Sequence, residues 1–175
     1  MSAQREQNMN LASLNSLPSR EAQAEFLKCC GSTNWAQQMV TARPYSSLEE
    51  LIAAADRIWW SLDSQDWLDA FHSHPKIGEK KAAAATAVEA QKWSEAEQSG
   101  INNAAHETLG ALAELNQTYE EKFGYIFIVC ASGKSSEEML AILRKRLGNN
   151  PDDELRIAAA EQARITELRL RKLVQ

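Results

Sequence analysis

The run Tyr125-Ile126-Phe127-Ile128-Val129-Cys130-Ala131 decides how this chain folds. It is unbroken apolar sequence, rich in aromatic and β-branched side chains, which is the composition of a buried strand. Periodicity cannot separate a buried strand from a buried helical turn over so few residues. The rest of the chain settles the class. No second segment of this kind is present to pair with it, and one strand makes no sheet. The chain is therefore expected to be all-α, with residues 125–131 threaded through its core as either an extended stretch or a helix.

Outward from this run, the helical signals are strong. Upstream, residues 103–122 carry a stripe of Leu109, Leu112, Ala113, Asn116 and Tyr119, which Phe123 would extend. Downstream, Ser135 and Glu138 have the spacing of a capping box, in which each side chain satisfies a free backbone N–H. Leu140, Leu143 and Leu147 follow on one face, with Gly148 placed to end the helix. Asn149-Asn150-Pro151-Asp152 restarts the chain into a last helix with Leu155, Ala158, Ala159, Gln162 and Ile165 inward. Nearer the N-terminus, Ser47 and Glu50 form another capping pair before the stripe Leu48, Leu51, Ile52, Ala55, Ile58, Trp59 and Leu62. Trp35 and Met39 mark a shorter helix that Arg43-Pro44 should stop. Ala82–Ala90 is good helix-forming sequence, and His72–Glu79, with Pro75 and Gly78, reads as a turn or loop.

Composition agrees and excludes several functions. A length of 175 residues suits one domain over 1–175, with the first ten residues expected to be a flexible N-terminus. Nineteen basic against 24 acidic residues give a net charge of −5, so a broad nucleic-acid surface is not expected. No apolar run approaches the roughly 20 residues that span a bilayer. The first residues are polar, and the last four are not a peroxisomal address. Cys29, Cys30 and Cys130 make an odd count, and the first two are adjacent; a reduced, cytoplasmic location is the simplest expectation.

Three places could carry chemistry. Phe71-His72-Ser73-His74-Pro75-Lys76-Ile77-Gly78-Glu79 offers two imidazoles, and imidazole exchanges protons near neutral pH. Pro75 restricts the backbone of His74 and so helps to fix one ring. The bland reading is a surface loop, and a His-x-His metal site is a further alternative. Ser94-Glu95-Ala96-Glu97-Gln98 contains a third capping pair, Ser94 with Glu97. That pair is sufficient as a helix start, although helix N-termini also suit anions. Arg169 extends the apolar stripe of the last helix, so its guanidinium needs a partner, either a protein carboxylate or a ligand. Asn116 poses the same question more weakly.

Taken together, these residues resemble the OHCU decarboxylases, which act on 2-oxo-4-hydroxy-4-carboxy-5-ureidoimidazoline. The matching blocks, in the family's order, are Phe71-x-x-His74-Pro75-x-Ile77-Gly78, then Ser94 to Gln98, then Tyr119 to Ala131, then Ile165-Thr166-x-Leu168-Arg169-Leu170. Gly133-Lys134-Ser135 through Arg146-Leu147-x-Asn149, followed by Glu154-Leu155, is also similar. Each block alone is weakly specific; all four in order are highly specific, and the resemblance as a whole runs from about Leu14 to Leu170.

The resemblance implies an all-α fold of this family's own type, usually a homodimer, with no metal and no organic cofactor. It implies the last step from urate to (S)-allantoin. It implies that His74 is the catalytic acid/base, with Glu97 and Arg169 as the other key groups. Pro75, Ser94, Glu95, Ala96, Gln98, Phe127, Ile128, Val129, Cys130 and Ala131 would contact the substrate. His72 departs from the family pattern, where a small residue is common; the histidine directly before proline is the matching one. Two other functions fit the residues alone: a metal-dependent hydrolase using His72 and His74, and a helical interaction module without catalysis.

Overall fold

The structure is a computed structural model that describes residues 9–76, Trp93 and residues 106–175. Residues 94–98, with their capping pair, lie outside the described residues. So do Ala82–Ala90 and residues 77–79 of the predicted loop. Among the described residues there are eight helices and no strand, as the sequence predicts. They are α1 (Leu11–Ser16), α2 (Ser19–Cys29), α3 (Thr33–Thr41), α4 (Leu48–Ser61), α5 (Ser64–His72), α6 (His106–Phe123), α7 (Ser136–Arg146) and α8 (Pro151–Leu173). The sequence reading did not single out α1, α2 or α5.

Local chemistry starts most of these helices. Asn10, Ser32, Ser47, Asp63, Ser135 and Asn150 each accept a hydrogen bond from the backbone N–H three residues on. At Ser135 the box is complete, because Glu138 also accepts from the Ser135 N–H. At Ser47 only half forms as expected: the Glu50 carboxylate reaches one residue further back, to the Ser46 N–H at 2.6 Å. Pro151 takes the first position of α8, where its missing N–H is harmless.

The predicted stripes face the core, with Leu48, Leu109, Leu147 and Leu155 half-buried, and two corrections apply. On α6, Leu112, Asn116 and Tyr119 face inward, but Ala113 is exposed. The inward face follows the four- and three-residue spacing through Asn116, which leaves Ala113 on the far side. On α5 the helix continues to His72, so the expected loop begins one residue later.

Helix α8 packs against α2, α4 and α5, while α6 and α7 pair with each other. Indole N–H groups tie the first set together. Trp35 donates to the Ala55 carbonyl at 3.1 Å, Trp59 to Ala159 at 2.9 Å and Trp67 to Trp59 at 3.1 Å. Each bond joins two helices, so these residues add direction to apolar packing.

Residues 126–131 form neither helix nor strand, yet Phe127 to Ala131 are all buried. A buried backbone outside regular structure must find other hydrogen-bond partners, and here side chains supply them. Arg146 Nη1 donates to the Ile128 carbonyl at 2.5 Å, Glu161 accepts from the Cys130 N–H at 3.0 Å, and Lys134 Nζ donates to the Cys130 carbonyl at 2.7 Å. Gly124 leads into the segment at φ +82°, a conformation that L side chains rarely adopt. A Cβ there would meet nothing within 4 Å, so the glycine serves the turn rather than a close approach.

Candidate active site

His74 lies just past the end of α5, where its N–H closes the last turn on the Phe71 carbonyl at 3.2 Å. Phe71 stacks on Tyr125 with ring centroids 5.3 Å apart, which joins this turn to the start of the buried segment. The imidazole is 8% exposed, and its Nε2 lies 2.6 Å from Gln162 Oε1 of α8. The amide Nε2 of Gln162 in turn donates to Thr166 Oγ1 at 3.1 Å, and the Thr166 hydroxyl contacts the Cys30 thiol. His72, by contrast, is exposed. The two histidines therefore do not share one environment, which weakens a His-x-His metal site.

Arg169 is buried on the same face of α8, one turn beyond Thr166. Its Nη1 reaches the Lys28 carbonyl at 3.5 Å, and its charge acts on both neighbouring thiols, Cys29 and Cys30. The α8 face therefore gathers three expected parts of the site. His74 contacts it at Gln162, Cys130 contacts it at Glu161, and Arg169 belongs to it. Half-buried Pro75 follows His74, and Lys76 pairs with Glu120 of α6 at 2.7 Å. That pair is exposed enough to contribute little stability. Ser94, Glu95, Ala96, Glu97 and Gln98 lie outside the described residues.

The buried segment is also held from behind. Arg146 Nε donates to Glu154 Oε1 at 2.7 Å, and Asn149 donates to Glu154 Oε2 at 2.9 Å. The Tyr119 hydroxyl donates to Glu154 as well. Burial, followed by this carboxylate, pushes the Tyr119 phenol far up, so it stays a proton donor at all ordinary pH values. The Arg146 guanidinium lies over the Phe127 ring at 4.6 Å. Glu154 and Gln162 are the polar residues that hold these parts in place. Gln162 is visible in the sequence as a polar residue within an apolar stripe; Glu154 enters the sequence analysis only through the family-like pair Glu154-Leu155.

None of the three cysteines is in a disulfide, and all are buried. Burial, partly offset by hydrogen bonds from the Ser32 backbone and Thr166, pushes the Cys30 thiol from 9.0 up to about 11. An unfolded chain then ionises this thiol at lower pH than the native one does. Stability from Cys30 is complete below pH 9 and falls as pH rises toward 11. Cys29, raised by burial as well, adds a fall of the same sign, so in urea denaturation Cys30→Ser should make the decline across that interval shallower by on the order of 2–3 kcal/mol. An unchanged pH dependence in that variant would contradict the assignment.

A cavity of about 480 Å³ opens between α4 and α8, lined in part by Ile52, Asp56, Trp59, Ala163 and Thr166. Among the described residues, no side chain of the expected site lines it. Among the described residues no helix is long and apolar enough to cross a membrane.

The all-helical fold thus places a buried imidazole, His74, against Gln162 of α8. The comparisons name the family. The OHCU decarboxylase family model matches residues 15–171, and the chain belongs to that family of carboxy-lyases. It is 42% identical over 150 residues to the uric acid degradation bifunctional protein TTL of Arabidopsis thaliana, covering 85% of this chain and 46% of that protein. It is 30% identical to the 2-oxo-4-hydroxy-4-carboxy-5-ureidoimidazoline decarboxylase of Haloferax volcanii, covering 77% of each. A crystal structure of OHCU decarboxylase in the presence of (S)-allantoin superposes with a TM-score of 0.75 at 42% identity, covering 86% of this chain and 97% of that one. The chain spans less than half the length of the Arabidopsis protein and a third of a similar bifunctional protein from Bacillus.

Proposed function

We propose that this chain decarboxylates 2-oxo-4-hydroxy-4-carboxy-5-ureidoimidazoline to (S)-allantoin. The observation that carries this reading is the buried His74 imidazole held at Gln162, on the helix face that also bears Arg169. It is supported by the family membership and by the relatives named for this reaction.

The substrate has a carboxylate and a hydroxyl on one ring carbon, next to a ring C=N bond. When the C–CO₂ bond breaks, its electron pair forms a C=C bond to the neighbouring carbon, and the C=N electrons move to nitrogen and take up a proton. The resulting enol loses its hydroxyl proton to become the ring carbonyl. A proton then adds to the ureido-bearing carbon, and the face of that addition sets the S configuration. The substrate is thus its own electron sink, so the protein's task is positioning and proton transfer. His74, with Glu97 as the second key group, handles the hydroxyl proton and the protonation of the enol. Arg169 holds a carbonyl or ureido oxygen, with Pro75, Ser94, Glu95, Ala96 and Gln98 and the segment from Phe127 to Ala131 forming the pocket. The enzyme works without metal or organic cofactor, as a homodimer in the cytoplasm.

This assigns Arg169 mainly to binding. In steady-state assays Arg169→Ala should raise KM by roughly 10- to 100-fold, the scale of a lost charged hydrogen bond, with a smaller fall in kcat. An unchanged KM would remove Arg169 from the site.

A further inference from the structure

We propose that Gln162 is a positioning residue that fixes the tautomer of His74, placing the proton on Nε2 and the basic lone pair on Nδ1. The polarity follows from a chain of contacts. Cys30 and its sulfur lie beside the Thr166 hydroxyl, which has its proton to direct there. Thr166 Oγ1 then accepts from the Gln162 amide nitrogen at 3.1 Å. That orientation leaves the Gln162 oxygen facing His74 Nε2 at 2.6 Å. An amide oxygen only accepts, so the ring nitrogen opposite must carry the proton. A neutral imidazole with Nε2–H has its lone pair on Nδ1.

The surroundings make this orientation hard to reverse. Gln162 is fully buried and Cys30 is 1% exposed, while Thr166, 5% exposed, borders the α4–α8 cavity, so the Gln162 amide itself is shielded from water. Gln162 and Thr166 are one helical turn apart on α8, so the rigid helix sets their spacing. Turning the amide over would place an N–H₂ group against Nε2 and demand the Nδ1–H tautomer. It would also draw the Thr166 proton away from Cys30. The inference rests on His74 being the acid/base of the proposed reaction for its catalytic consequence, but the tautomer itself is read without substrate. The two are therefore decided separately.

The test is a long-range ¹H–¹⁵N correlation spectrum of the full chain, labelled with ¹⁵N and recorded above the imidazole titration. His72→Asn and His106→Asn identify the His74 signals. The expected result is one pyrrole-like nitrogen at Nε2 and one pyridine-like nitrogen at Nδ1. Thr166→Val, which keeps the side-chain shape, and Gln162→Leu should both convert this pattern to a tautomer mixture. Each should also lower kcat about tenfold while KM stays within about twofold. An Nδ1–H tautomer in the unaltered protein would overturn the proposal, and so would an unchanged Nε2–H tautomer in both variants.

Discussion

His74→Ala is expected to lower turnover by a factor of about 10² or more, the usual contribution of a positioned acid/base group. The loss should fall on kcat, because the imidazole acts on protons that move in the reaction, not on groups that anchor the substrate. His72→Ala should leave the rate close to that of the unaltered chain, since that residue is exposed and the Gln162 contact is made by His74. The pair of variants thus separates the catalytic reading from a site that uses both histidines. Equal rates for His74→Ala and the unaltered chain would remove His74 from the mechanism.

Glu154→Ala is expected to produce the largest loss of stability, about 3–5 kcal/mol by urea denaturation. Glu154 is fully buried, and its carboxylate is the counter-charge to Arg146, which is itself 5% exposed. Removing the acid strands a buried guanidinium and leaves the Asn149 and Tyr119 donors without their acceptor. The damage should reach the site as well. The same guanidinium holds the Ile128 carbonyl and covers the Phe127 ring, so the segment expected to line the pocket loses its anchor. A loss below about 1 kcal/mol would show that the ion pair is not needed to hold residues 125–131.

Much of this organisation is legible in the sequence, and the reasons differ from place to place. The stripes of α4, α7 and α8 repeat at the helical period, so their buried faces follow from spacing alone. Ser135 with Glu138 encodes a complete capping box within four residues, and it forms. Residues 125–131 show the opposite case. Their composition says that they are buried, but their conformation depends on Arg146, Glu161 and Lys134, which no local pattern connects to them. Gly124 illustrates the same limit: the glycine is needed, yet for a positive φ and not for a close approach. The Glu50 carboxylate, expected on Ser47, accepts instead from both the backbone N–H and the hydroxyl of Ser46, two donors that the capping-box spacing does not encode.

The site divides along the same line. Arg169 stands out because a charged residue occupies a position where the stripe calls for an apolar one, and His74 because it precedes Pro75 in a short motif with a second histidine. Gln162 stood in plain view within an apolar stripe, but its purpose appears only when α5 and α8 are brought together. The chain of contacts through His74, Gln162, Thr166 and Cys30 joins three segments at once, and sequence spacing carries no trace of it.

The most direct measurement follows the circular dichroism of allantoin formation after urate is converted by urate oxidase and 5-hydroxyisourate hydrolase. With this protein present, one enantiomer, (S)-allantoin, should accumulate faster than the uncatalysed reaction delivers racemate. Slow formation of racemic allantoin, unchanged by adding the protein, would contradict the assignment.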